Sequence, residues 1–233
     1  IVKLNNKMIK FKNIILAIIL VTSISCAKKE EIIITDPSLS LPEIDYIAAK
    51  RLLDEQSYEE ALESFNNIEK KYPLSKWGLK SKLMIIFIHY LRVDYDNASI
   101  QVERFINKYP DYKDIDYAYY LKALIAYEQI KNPELDTSNT HKALDYFEEL
   151  IRRYPNSKYS KDAGQKIILI NTVLAGKDMN VGMYYLEINE YLAALNRFKK
   201  VIDSYEANRY TPEALYRIVE IYYILGMFED SKK

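Results

Sequence analysis

A single cysteine, Cys26, and a single tryptophan, Trp77, stand in this chain of 233 residues, together with only five glycines and two histidines. One thiol excludes a disulfide framework and any Cys-rich zinc site. Five scattered glycines cannot build a Gly-rich phosphate loop, and seven prolines exclude a Pro-rich or collagen-like chain. Neither sign of charge is in excess. The 33 basic residues match 33 acidic ones, so electrostatics gives no reason to expect a nucleic-acid partner. His89 and His141 lie 52 residues apart, and neither stands at a metal-ligand or triad spacing. No catalytic residue, metal or cofactor is therefore expected, and the chain is read as a non-enzyme. What is abundant is tyrosine, 22 residues, in a sequence that is 49% apolar and 28% charged, the mix of one or two folded domains.

The amino end has the pattern of a targeting segment. Lys3, Lys7, Lys10 and Lys12 precede an apolar run at residues 14–21 (IILAIILV), and no acid occurs before Glu30. The uncharged stretch 13–27 is 15 residues, short of the roughly 20 that a spanning helix needs. It ends in Thr22-Ser23-Ile24-Ser25-Cys26, which resembles a bacterial lipobox, although Ser23 stands where an aliphatic residue is usual. Residues 1–25 are read as a lipoprotein signal peptide, with 1–7 outside the native translated protein because Met8 begins a cleaner signal. Cys26 would carry diacylglycerol and an N-acyl chain, and two or more acyl chains make attachment stable. The alternatives are an unmodified Cys after an ordinary signal, or a short membrane anchor. Ala27, rather than Asp, after the Cys favours the periplasmic face of the outer membrane. The cut chain would hold 29 basic and 33 acidic groups, a net charge of about −4. Residues 26–42, with Pro37 and Pro42, read as a tether.

The remainder repeats itself. Tyr58, Ala61, Phe65, Ile68 and Tyr72-Pro73 align with Tyr95, Ala98, Val102, Phe105 and Tyr109-Pro110. A third copy runs Thr140, Ala143, Phe147, Leu150, Tyr154-Pro155, and a fourth runs Tyr191, Ala194, Phe198, Val201, Tyr205. The offsets 0, +3, +7, +10 and +14 put one apolar stripe on one helix face. Proline after the tyrosine stops each helix at the same place. Partner helices are expected at 43–55, 76–93, 114–130, 159–176, 179–190 and 212–226. A small residue followed by an aromatic and a terminal proline, in paired helices, resembles the tetratricopeptide repeat. Copies are spaced 37, 45, 51 and 37 residues apart, so insertions lie between helices, one of them the polar loop 131–139.

The fold class is therefore all-α, a helical solenoid of about five pairs over 43–233. Its units are 43–73, 76–110, 114–155, 159–206 with a long insertion, and an incomplete 211–233 whose second helix opens at Phe228. That abrupt end leads to the expectation of a fragmentary sequence. A stack of this kind leaves the inner helices facing a groove. Helical spacing places Tyr46, Lys50 and Leu53 of the first unit on that face. Leu83, Phe87 and Tyr90 of the second and Tyr120, Leu124 and Tyr127 of the third join them. The same spacing fits core positions, and for each residue both readings stay open.

Together the lipobox, the tether and about five irregular repeats resemble the BamD/ComL-like lipoproteins of outer-membrane protein assembly. The likeness rests on residues 58–73 (YEEALESFNNIEKKYP), 114–124 (DIDYAYYLKAL), 154–163 (YPNSKYSKDA) and 184–198 (YYLEINEYLAALNRF). The resemblance implies a scaffold of the β-barrel assembly (BAM) complex whose amino-terminal units receive unfolded outer-membrane proteins. It implies that the carboxy-terminal units dock on a periplasmic domain of the BamA-like barrel subunit, beside other assembly lipoproteins. Asn196-Arg197 matches an Asn-Arg pair of that family, which gives Arg197 a docking role. The other reading is a repeat lipoprotein that scaffolds cell-envelope enzymes or competence. A Cys26→Ser variant should move from the membrane to the soluble fraction on cell fractionation, and continued membrane association would reject lipidation.

Overall fold

Each of the four repeated stripes becomes one face of a helix, and the residues on it are almost without exposed surface. Ala61, Phe65, Ile68, Ala98, Val102, Phe105, Ala143, Phe147, Leu150, Ala194, Phe198 and Val201 are all 3% exposed or less. In the computed structural model residues 40–130, 137–205 and 208–229 are described, all within one unit, Ser40–Lys233. Cys26, the signal segment, the tether up to residue 39, most of the polar loop and residues 230–233 lie outside the described residues.

The helices are α1 (Leu41–Asp54), α2 (Tyr58–Lys71), α3 (Lys76–Leu91), α4 (Tyr95–Lys108), α5 (Ile115–Glu128), α6 (Ser138–Arg153), α7 (Ser160–Glu187), α8 (Tyr191–Ser204) and α9 (Thr211–Ile224). No strand occurs among the described residues. Each helix packs on the next in the chain; α1 also packs on α3 and α3 on α5, with no comparable contact between α2 and α4. The odd-numbered helices are thus the inner ones, and the fold is an all-α, tetratricopeptide-like solenoid. Alanine at +3 lets neighbouring helices approach closely while the aromatic at +7 fills the space beside it. Burying one such large side chain contributes about 1.5–3 kcal/mol.

Two kinds of turn recur. Outer helices end on the tyrosine of the stripe, where Tyr72, Tyr109 and Tyr154 adopt φ −134, −130 and −132°. The following proline excludes the helical region for each of them. The inner helices α1, α3, α7 and α9 end in Schellman closures. After α1, the Ser57 N–H donates to the Leu52 carbonyl at 2.9 Å and Gln56 sits at φ 61°. The same closure follows α3 at Val93 (φ 62°), α7 at Asn189 (φ 63°) and α9 at Gly226 (φ 73°).

Three expectations are corrected. Pro42 does not end a tether; it lies in the first turn of α1, where its missing N–H is no loss. The stretch read as two partner helices, 159–176 and 179–190, is one helix of 28 residues, α7. No proline interrupts it, and Gly182 takes the Phe198 ring so closely that an added Cβ would lie 2.6 Å from Cε1. Phe228 does not start a helix among the described residues; it lies in the turn after α9 with its ring 5.4 Å from that of Tyr223.

Val93 is the β-branched member of the left-handed set, a conformation that crowds Cβ against the carbonyl by about 1–2 kcal/mol. Val93→Asn should therefore raise the thermal midpoint, by about 1 kcal/mol in chemical denaturation. An unchanged or lower stability would place Val93 outside that strain.

Candidate functional site

The inner face of α1, α3, α5 and α7 carries a broken row of half-buried aromatic rings. At its amino end the Tyr46 ring lies 4.9 Å from Trp77 and 5.4 Å edge-on to Phe65, with the Lys80 ammonium 5.0 Å from the indole. Phe87 stacks on Tyr90 at 6.1 Å, and the Tyr90 hydroxyl donates to Glu128 at 3.4 Å, reaching from α3 to α5. Tyr117 and Tyr120 of α5 lie 5.2 and 4.9 Å from Tyr159, the residue that precedes α7. The Tyr120 hydroxyl donates to Asp162 at 2.6 Å, and the Lys166 ammonium of α7 stands 5.0 Å from the Tyr127 ring. Polar tips and cation–π contacts thus join successive inner helices.

A cleft of about 630 Å³ opens between these rings, lined by Tyr46, Lys80, Met84, Lys113, Tyr117 and Tyr159. Four phenols of the inner face, Tyr46, Tyr90, Tyr117 and Tyr120, are pushed up from the ordinary phenol value. Burial and then the Asp114 charge push Tyr46 up to about 12, and burial with the Glu128 charge does the same to Tyr90. Tyr117 and Tyr120 are raised further, first by burial and then by Tyr159 and by the Asp162 hydrogen bond respectively. Such groups offer rings and hydrogen bonds, not general bases. Among the described residues no cluster of three His, Cys, Asp or Glu side chains is placed to hold a metal.

The residues singled out by spacing divide. Leu53 and Leu83 are 7% and 2% exposed and belong to the core rather than to a free groove surface; Leu83 shows only an edge to the cleft. Tyr46, also buried, presents its ring edge there. These three stand on the sides of α1 and α3 that meet neighbouring helices, a side with the same period as the groove side. Lys50 is exposed and pairs with Asp54 at 2.7 Å. Phe87, Tyr90, Tyr120, Leu124 and Tyr127 are half-buried on the inner face.

Arg197 lies elsewhere, on α8. Its Nη1 donates to the Asp178 carboxylate of α7 at 2.9 Å. Lys200 joins the same carboxylate at 2.9 Å and the Tyr205 hydroxyl donates to it at 2.7 Å. Asp178 is buried while the Arg197 side chain keeps 41% exposure. Burial alone would raise the Asp178 carboxyl, but the hydrogen bonds from Lys200, Tyr205 and Arg197 outweigh it and hold the group below the usual carboxylate range. Asp178 went unnoticed in the sequence. Its signal is an acid between Ala175-Gly176 and Met179, at a buried register of a mostly apolar helix.

Residues 42–233 match a family model described as YfiO, outer membrane lipoprotein. The outer membrane protein assembly factor BamD of Caulobacter vibrioides is 39% identical over 191 residues, covering 82% of this chain and 63% of that protein. The protein of the same name from Rickettsia prowazekii is 38% identical over 227 residues, covering 97% of this chain and 89% of that one. The chain therefore spans under two thirds of the Caulobacter relative's length. Among solved structures, the TPR2AB-domain:pHSP90-complex of yeast Sti1 aligns over 82% of this chain and 73% of that one at 12% identity, with a TM-score of 0.49.

Replacing the buried carboxylate tests the α7–α8 joint. Asp178→Asn leaves the Arg197 and Lys200 cations to water and weakens three hydrogen bonds, a loss of about 1–3 kcal/mol near neutral pH. Because the native carboxyl is depressed, its contribution is full above the unfolded value of about 3.9 and disappears as pH falls through the native one. The difference in urea midpoint between variant and parent should therefore shrink as pH falls below the unfolded carboxyl's value and vanish once the native carboxyl is protonated. A constant difference at all pH values would refute the assignment.

Proposed function

The chain belongs to the YfiO family of outer membrane lipoproteins, and from that premise we propose that it is a non-enzymatic scaffold of the outer-membrane β-barrel assembly complex. Acyl chains on Cys26 hold it at the periplasmic face of the outer membrane. Unfolded outer-membrane proteins enter the inner face, and the carboxy-terminal units dock on a periplasmic domain of the BamA-like barrel subunit, beside other assembly lipoproteins.

The observation that carries this reading is the row of half-buried rings on the inner face, Phe87, Tyr90, Tyr117, Tyr120 and Tyr127. An unfolded chain offers apolar and aromatic side chains, and a face of partly uncovered rings takes them. Weak contacts suffice, because tethering to one membrane raises the local concentration of client and insertion subunit. Arg197 supports docking in a modified way. With Nη1 on Asp178, the remaining guanidinium donors of a side chain that is 41% exposed stay open to a partner carboxylate.

Copurification from detergent-solubilised membranes tests the proposal: a large β-barrel protein with periplasmic domains should come down, and depletion should lower many outer-membrane proteins together. If depletion altered only septation or DNA uptake, a scaffold of cell-envelope enzymes or competence would replace it. Tyr120→Ala should weaken binding of a client peptide several-fold; unchanged affinity with a lower melting temperature would assign Tyr120 to the core.

A further inference from the structure

The opposite, outer side of the stack holds a second groove. It runs between α2 and α4 over the edge of α3, with a volume of about 340 Å³, within the range of about 300–1,000 Å³ seen for ligand clefts. Ile86 and Phe105 form its buried floor, and Ile100 adds an exposed apolar edge. The walls are amides, Asn66 from α2 and Asn97 and Gln101 from α4. Arg104 and Lys108 continue the α4 stripe and are exposed. Among the described residues no carboxylate pairs with either, and Lys108 only leans over Tyr109 at 5.5 Å. The one acid of the groove, Glu69, is already paired with Lys82.

The neighbouring repeats explain why this groove is open. Gln101 stands six residues after the first stripe position, as do Tyr146 and Arg197 in the later repeats. Tyr146 fills the groove beside α6, with the Lys122 ammonium 3.9 Å from its ring, and only about 190 Å³ is left there. Arg197 folds down onto Asp178. Gln101 makes no such closure.

We propose that the α2–α4 groove docks an acidic, extended segment of a partner protein, on a surface separate from the client-binding face. An apolar side chain of that segment sits over Ile86, Ile100 and Phe105. Its backbone pairs with the amides of Asn66 and Gln101 and with the carbonyl oxygen of Asn97, whose NH2 is held by Asp94, and its carboxylates meet Arg104 and Lys108. The excess of unpaired positive charge selects an acidic partner, and the amide walls select main chain in an extended form.

The full-length protein in detergent is titrated with a short fluorescent peptide of alternating Glu and Leu, read by anisotropy. The peptide should bind, binding should weaken as salt rises, and a peptide with Lys for Glu should not bind. Arg104→Glu with Lys108→Glu should weaken binding about tenfold or more. Gln101→Tyr, which installs the plug of the third repeat and leaves the charge unchanged, should do the same. Circular dichroism checks that each variant is folded, and if Gln101→Tyr is not, the exposed charge pair decides. Equal affinity in the charge variant would overturn the proposal. So would binding of phosphatidylglycerol vesicles that is lost in the charge variant while the peptide is ignored, since a membrane surface would then be the occupant.

Discussion

An alanine with no exposed surface occupies the same place in four outer helices: Ala61, Ala98, Ala143 and Ala194. The remaining architecture depends on the close approach those side chains permit. A larger residue would push the inner helices apart and lift Phe65, Val102, Phe147 or Phe198 out of its slot, because protein interiors have no slack to absorb an added methylene. Since each helix packs chiefly on its neighbours in the chain, the energetics are nearly one-dimensional. Stability is a sum of unit and interface contributions, and damage at one joint stays near that joint.

Polar groups do different jobs along this frame. On the inner face, hydroxyls of Tyr90 and Tyr120 reach carboxylates of the following unit, at 3.4 and 2.6 Å. These bonds set the spacing of inner helices while leaving the ring faces partly uncovered. At Asp178 the polar group is itself buried and is matched by two cations and a phenol. Both partners in such an arrangement lose hydration, so its worth lies in fixing how α7 sits on α8 more than in raw stability. The same repeat position thus serves as a plug at Tyr146, a strut at Arg197 and an open seat at Gln101.

Much of the fold was legible because the stripe spacing and the prolines are local signals. Tyr58 to Tyr72 announces its helix, its buried face and its stop in fifteen residues. The continuity of α7 was not legible, since Gly176 and Gly182 look like breaks in one dimension. Packing shows them to be contacts, against Tyr210 and Phe198 respectively. At the candidate site the choice between groove and core was not legible: a period near 3.6 marks that a face is apolar, not which neighbour covers it. Leu53 and Leu83 therefore carried the same signal as Phe87 and Tyr120. Left-handed residues were equally hidden, because Gln56 and Val93 are not the types that announce a positive φ.

Helix α7 has twice the residues of α1, α2, α4, α5, α8 or α9, and at 1.5 Å per residue it is about 42 Å long. A rod of that length, clamped near its middle through Asp178, behaves as a lever arm. Any tilt imposed where Tyr159 and Asp162 meet α5 is carried, without a hinge, to the far tip at Glu187. The far tip lies nine residues beyond Asp178 and Asp162 sixteen before it, so a tilt beside the inner-face rings reaches the α7–α8 turn reversed in sense and reduced to about half.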